Sequence, residues 1–150
     1  MGATIVQDYI YESMLENADA PIELFHGYTY SGHPVACAAA LATLDIYKEE
    51  GLFEHACKQA PKIEKAAHSL KGTKHIIDIR NLGVIAALEL ESRGNAVGAR
   101  GFEVMKKAWD MGLMVRANGD TLAFSPPLIV QDGQIDEMFT TVKKALEQVN

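Results

Sequence analysis

Four consecutive residues with hydroxyl groups stand between two glycines in the first third of the chain. They are Tyr28, Thr29, Tyr30 and Ser31, enclosed by Gly27 and Gly32. Hydroxyls donate hydrogen bonds, glycines let the backbone approach a ligand, and the following Pro34 suits the first position of a helix. Because the N–H groups at a helix start attract anions, the stretch indicates a phosphate site without a lysine. The alternative is an ordinary capped loop before a core helix.

Arg116 is the second candidate for chemistry. It ends an apolar segment next to the hairpin signal Asn118-Gly119, where a guanidinium can hold a carboxylate through two parallel hydrogen bonds. The alternative is a solvated arginine at a strand end. His26 and His33 flank the hydroxyl loop, but no third ligand stands at metal-binding spacing. We therefore expect packing or helix-start roles for the two histidines and no metal site.

Composition narrows the class of protein. The 150 residues are 48% hydrophobic and 23% charged, which is typical of one globular domain. A net charge of −6 argues against nucleic acid and anionic membranes as partners. Cys37 and Cys57 lack CxxC spacing and read as reduced thiols. With no apolar run of membrane-spanning length and no signal-peptide pattern, we expect a cytoplasmic protein.

The N-terminal part must position the hydroxyl loop. Residues 1–6 are apolar and partly β-branched and could form a strand, and residues 8–17 have the spacing of a short amphipathic helix. A helix is predicted from Pro34 to about residue 50, ending at Gly51. Its first half is apolar on nearly every side and its second half is amphipathic, as in a connector between packed units. The predicted domains are 1–45 and 46–150.

The remaining residues alternate helices with strand pairs. Helices are predicted over 52–70, 96–111 and from about 131 onward, and strands over 75–81, 84–90, 113–116 and 121–124. The first strand pair should be an antiparallel hairpin with Asp78, Arg80 and Glu89 on its exposed side, and Asn118-Gly119 should turn the second. This order predicts an α+β unit, an antiparallel sheet with helices on one face.

Three runs carry a resemblance to a known family. They are FHGYTYSGHPVACAAALATLDIYKEEGLF, IIDIRNLGVIAALEL and GLMVRANGDTLAFSPPLIV. They resemble the class III, fold type I aminotransferases that use pyridoxal phosphate, above all the ω-amino acid:pyruvate (β-alanine:pyruvate) branch, and the similarity covers practically the whole chain. The resemblance implies that residues 1–45 are the last strand, loop and helix of the large α/β domain. Residues 46–150 would be the small C-terminal domain.

The resemblance also implies roles for single residues. In that family the hydroxyl loop of one subunit reaches the cofactor phosphate of its dimer partner. Thr29 would thus bind the phosphate of pyridoxal 5'-phosphate in trans, and Tyr28 would line the pocket. Arg116 would hold the substrate carboxylate and swing aside for uncharged amines. The implied partners are an amino donor, pyruvate and a second subunit in a homodimer or higher oligomer.

One departure from the family is large. Its enzymes hold the cofactor through a Schiff-base lysine in an upstream segment, and Met1-Gly2-Ala3 resembles the residues shortly after that lysine. No lysine in the chain has a matching context; they stand at 48, 58, 62, 65, 71, 74, 106, 107, 143 and 144. Because transamination needs that lysine, we expect an inactive C-terminal fragment of such an enzyme.

A different class of function remains as the alternative. The chain could be a stand-alone, non-catalytic α+β binding module for a small molecule with a phosphate or carboxylate group. For a fragment, we expect self-association or order mainly from residue 52 onward, because unpaired strand edges and bare apolar helix faces promote association.

Overall fold

The computed structural model describes residues 2–18 and 27–150. The chain divides into two compact units, Met1–Glu49 and Glu50–Asn150, and each is described by itself. No helix in the described ranges combines the length and the apolar character that a membrane span requires.

The first unit contains two helices. Helix α1 spans Asp8–Glu16 and helix α2 spans Pro34–Glu49, as predicted, and none of their residues is buried. The strand predicted over residues 1–6 is wrong for the part that is described, since residues 2–7 form no regular structure. A strand needs a hydrogen-bonding neighbour, and the described residues of this unit contain no other strand.

The second unit alternates helices with pairs of strands. Its elements are α3 (Leu52–His68), β1 (Ile76–Leu82), β2 (Ile85–Leu90), α4 (Ala99–Asp110), β3 (Arg116–Asn118), β4 (Thr121–Phe124) and α5 (Asp132–Glu147). The strands form one sheet in the order β1-β2-β4-β3, and every neighbouring pair is antiparallel. The predicted α+β class is confirmed.

One face of this sheet carries the core. Side chains alternate between the two faces of a strand, and the inward set packs with α3, α4 and α5 into a single cluster. Its fully buried members include Ile63, Leu88, Val104, Leu122 and Val142. The opposite face of the sheet carries Arg80 and Glu89, which are partly exposed, and we call it the open face.

The second hairpin differs from the prediction in two details. The predicted strand 113–116 begins only at Arg116, and Leu113 and Val115 instead pack into or against the core. Asn118 pairs with Thr121, so the two-residue loop is Gly119-Asp120 and not Asn118-Gly119. Gly119 has a φ of +60°, which is typical of the first loop position in a type II′ turn. In this loop the Asp120 carboxylate accepts hydrogen bonds from two backbone amides at the start of α4.

Candidate functional site

The hydroxyl loop consists of two consecutive turns that lead into α2. The Ser31 amide donates to the Tyr28 carbonyl at 2.8 Å, and the His33 amide donates to the Tyr30 carbonyl at 3.2 Å. The third residue of each turn, Tyr30 and Gly32, is left-handed, with φ of +66° and +68°. A glycine adopts this conformation freely, whereas for a tyrosine it costs about 1–2 kcal/mol. The backbone of the loop is therefore sharply folded at the start of the helix.

These turns border a surface depression of about 400 Å³. The described residues that line it are Gly2, Thr29, Tyr30, Ser31, Gly32, His33 and Ala36. Tyr28 is half exposed and is not among them. His26, the other histidine of the sequence prediction, lies outside the described residues. The structure thus brings the Thr29 and Ser31 residues to one concave surface beside the N-terminus of α2.

This concave surface suits an oxygen-rich anion. Threonine and serine hydroxyls donate hydrogen bonds, and the positive end of a helix dipole favours negative charge. At Gly32 a Cβ atom would meet no heavy atom within 4 Å, so a ligand can approach the backbone there. A phosphate group matches this set of donors.

Arg116 begins β3 on the open face of the sheet. Arg116 pairs with Ala123 on β4, and Ala123 pairs with Ala87 on β2. Ala87 in turn pairs with Arg80 on β1. The two arginines are therefore the ends of one row across the four strands, with two small side chains between them. At about 4.8 Å per strand, the row is roughly 14 Å long. The alanines leave space above the sheet for a molecule that contacts an arginine.

The two arginines of this row differ in their partners. Arg80 Nη1 lies 2.5 Å from Asp78 Oδ2 and 2.5 Å from Glu89 Oε2, as expected for the predicted exposed side of the first hairpin. Hydrogen bonds to Glu89 and Asp78 hold the pKa of Arg80 above its ordinary value. Arg116 is exposed, and its side chain takes part in no ion pair or hydrogen bond among the described residues. The charge on Arg116 is thus available to a ligand.

The sequence analysis missed Asp120, a carboxylate that is only 7% exposed. Burial by itself raises its pKa, but hydrogen bonds from the Gly101 and Gly98 amides and from Ser92 outweigh burial, and the pKa lies below the usual value. A signal for it existed in the sequence. Helix α4 starts after Gly98 without a Ser, Thr, Asp or Asn of its own as N-cap, so its first amides need an acceptor from elsewhere.

Comparison with known families assigns the chain to one of them. The profile of the family described as "Aminotransferase class-III" matches residues 1–146. The chain belongs to this family. This match confirms the resemblance seen in the sequence. Class-III aminotransferases depend on pyridoxal phosphate. Thr29 and Tyr28 of this aminotransferase chain lie in the first unit, and Arg116 lies in the second.

Two relatives resemble the chain over nearly all its length. An omega-aminotransferase from Caulobacter vibrioides is 49% identical over 149 residues, which are 99% of this chain and 34% of that protein. A beta-alanine–pyruvate aminotransferase from Pseudomonas aeruginosa is 41% identical over 151 residues, 99% of this chain and 34% of that protein. The chain therefore spans about a third of the length of these relatives.

Solved structures agree with the sequence relatives. A transaminase structure described as "with L-ala" has a TM-score of 0.82 and 32% identity, over 95% of this chain and 35% of that one. The omega transaminase from Pseudomonas jessenii in complex with PMP has a TM-score of 0.76 and 36% identity, over 83% of this chain and 29% of that one. The fold is thus that of one portion of a transaminase.

Proposed function

We propose that the chain is the C-terminal part of a pyridoxal phosphate-dependent ω-amino acid:pyruvate aminotransferase. In the complete enzyme an amino group would pass from an ω-amino acid or an amine to pyruvate. Residues 1–45 would end the large domain, and residues 46–150 would form the small domain. Relatives named omega-aminotransferase and beta-alanine–pyruvate aminotransferase support this proposal. The proposal depends on one observation. Arg116 is exposed beside two alanines on the open face, and its side chain has no ion pair or hydrogen bond among the described residues.

Arg116 would bind the carboxylate of both substrates in turn. An ω-amino acid and pyruvate each have one carboxylate, so one guanidinium can serve both halves of the reaction. Arg80, on the same row, is already paired with two carboxylates and does not compete. Because no ion pair or hydrogen bond among the described residues fixes the Arg116 side chain, it can turn away when an amine without a carboxylate binds.

The concave surface beside α2 fits the phosphate group of the cofactor. We propose that the Thr29 hydroxyl donates to this phosphate and that Tyr28 forms a wall of the pocket, both reaching the site of a partner subunit in a homodimer. Pyridoxal phosphate, when bound, carries the amino group and withdraws electrons from the carbon that loses its proton. We also propose that none of the lysines of this chain is the covalent anchor of the cofactor. The chain alone would therefore be inactive.

The experiment that tests the proposal replaces Arg116 in the full-length enzyme. Arg116→Ala should raise the KM for β-alanine about tenfold or more, because a charge-assisted hydrogen bond contributes roughly 1.5–3 kcal/mol. The KM for n-propylamine, which has the same chain length but no carboxylate, should change little. The KM of Arg116→Lys for β-alanine should lie between those of the parent enzyme and of Arg116→Ala, since lysine keeps the charge but lacks the planar fork of donors. Steady-state kinetics with each donor and pyruvate give these values.

Arg80→Ala is the matched control. Arg80 stands on the same row of the open face, but its charge is already neutralised, so the ratio of the two KM values should stay at the level of the parent enzyme. An Arg116→Ala enzyme in which both KM values rise equally would contradict the proposed carboxylate site.

A further inference from the structure

Asp120 connects the hairpin that carries Arg116 to three other parts of the second unit. Its Oδ2 atom accepts hydrogen bonds from the Ser92 hydroxyl and the Gly98 amide, each at 2.7 Å, and its Oδ1 atom accepts from the Gly101 amide at 2.8 Å. Its own carbonyl accepts from the Leu90 amide at 2.9 Å. One residue thus binds the end of β2, the following loop and the start of α4.

The backbone at Gly119 and Asp120 lies very close to the start of α4. A Cβ atom on Gly101 would lie 2.9 Å from Asp120 Cα and still closer to the Gly119 carbonyl oxygen. A Cβ atom on Gly98 would lie 3.4 Å from Gly119 Cα. The first turn of α4 therefore rests directly on the hairpin loop, and a side chain at Gly101 would force the two apart.

Strand β3 has one hydrogen-bonded neighbour, β4, and Val115 and Ala117 attach this segment to the core. It is three residues long and lies at the edge of the sheet, so it is hydrogen-bonded to a neighbouring strand on one side only. Arg116 is at the end of this strand that is farther from the loop. Besides the backbone pairing with β4, the charged carboxylate at the loop, which also faces the positive end of α4, is a polar anchor of the segment that carries Arg116.

We propose that Asp120 is a positioning residue, which sets the place of Arg116 by fixing the β3–β4 hairpin against α4. This inference rests on the proposed function, in which Arg116 holds the substrate carboxylate. A bidentate contact between a guanidinium and a carboxylate depends strongly on geometry, and a displacement of about 1 Å can lower a rate constant a hundredfold. Loosening the hairpin should therefore weaken binding of carboxylate substrates more than binding of simple amines.

The test is Asp120→Asn in the full-length enzyme, with β-alanine and n-propylamine as donors. Asparagine keeps the shape but leaves one backbone amide facing an NH₂ group, because only one of its two side-chain atoms is an acceptor. The KM for β-alanine should rise roughly 3- to 30-fold. The KM for n-propylamine, and the kcat with n-propylamine per folded enzyme, should stay near the values of the parent enzyme. A merely structural role would lower the folded fraction and affect both donors equally.

Two further variants make the outcome decisive. Ser92→Ala removes one donor to Asp120 and should produce a smaller change of the same kind, even if Asp120→Asn fails to fold. In the double variant Arg116→Ala/Asp120→Asn, the second substitution should add no further discrimination between the donors, because Asp120 acts through Arg116.

The possible results separate the two proposals. If Arg116→Ala discriminates between the donors but neither Asp120→Asn nor Ser92→Ala does, the positioning role is overturned and the proposed function stands. If Arg116→Ala itself does not discriminate, the proposed function is wrong and the positioning role falls with it. Both proposals are supported if all three single variants discriminate between the donors and if Asp120→Asn adds no further discrimination to Arg116→Ala in the double variant.

Discussion

Two arginines on one row of the sheet show how neighbours decide the role of a side chain. Arg80 is held by Asp78 on its own strand and by Glu89 across the hairpin. Arg116 has alanine as its cross-strand neighbour and is left with a charge that a ligand can neutralise. Of these two arginines, Arg116 offers a fork of donors that has no ion pair or hydrogen bond within the described part of the chain, and this makes it the better carboxylate site.

His75 gives a prediction about pH. Burial lowers the pKa of His75, and the positive charges of Arg100 and Lys74 act in the same direction, while its hydrogen bond to the Val149 carbonyl acts against them. The unfolded chain thus binds a proton at a higher pH, about 6.5, than the folded chain. The stabilising contribution is complete above that pH, and the free energy of unfolding should fall as the pH is lowered below about 6.5.

Urea unfolding of the parent chain and of His75→Asn at pH 8.0, 6.5 and 5.5 measures this effect. Asparagine tolerates the left-handed backbone of this position, where φ is +75°. The comparison at pH 8.0 gives the cost of the substitution itself. The variant should lose less stability than the parent between pH 8.0 and 5.5, and an equal loss in both proteins would show that His75 does not contribute.

At the scale of elements, α4 and the second hairpin meet at a closely packed junction. Two glycines of the sequence Gly98-Ala99-Arg100-Gly101 face the loop, and the buried Arg100 between them donates to the Glu91 carbonyl. Glycine is rare inside helices because it costs about 1 kcal/mol relative to alanine. Its presence in the first turn of α4 is explained by the close approach of Gly119 and Asp120.

Gly101→Ala should destabilise the chain by roughly 1–3 kcal/mol, since the new methyl group would collide with backbone atoms that cannot move aside easily. Gly133→Ala is the matched control. Gly133 also lies in the first turn of a helix, α5, but its Cβ would meet nothing within 4 Å, so alanine should be neutral or stabilise by up to about 1 kcal/mol. Equal effects of the two substitutions on chemical denaturation would disprove the close packing.

Sequence patterns foretold most elements of the second unit but not their junctions. The helices and the first hairpin follow from local periodicity, which needs no knowledge of distant residues. The loop register at Gly119-Asp120 depends on donors from Ser92, Gly98 and Gly101 in another segment. The hydroxyl loop and Arg116 were predicted from residue type and position, whereas Asp120 was missed because a cap supplied by a distant hairpin loop leaves only an indirect signal.

At the scale of the whole molecule, buried apolar surface is distributed very unequally. Every member of the core cluster lies between Ile63 and Val149. In α1 and α2 no residue is buried, and Val35, Leu41 and Leu44 are each at least 60% exposed. Burial of apolar surface is the main force that stabilises folded proteins. The second unit therefore has the means to fold alone, and self-association through the first unit stays a prediction.

A chain of residues 50–150 should accordingly unfold in a single cooperative transition, with a Tm within about 3 °C of that of the 150-residue chain. Residues 1–131 serve as the control, because they lack α5 with the buried Ile135, Phe139, Val142 and Leu146 and should show no cooperative transition. Thermal unfolding followed by circular dichroism distinguishes the two. A drop in Tm of more than about 10 °C for residues 50–150 would contradict this expectation. It would mean that the first unit contributes to the stability of the second.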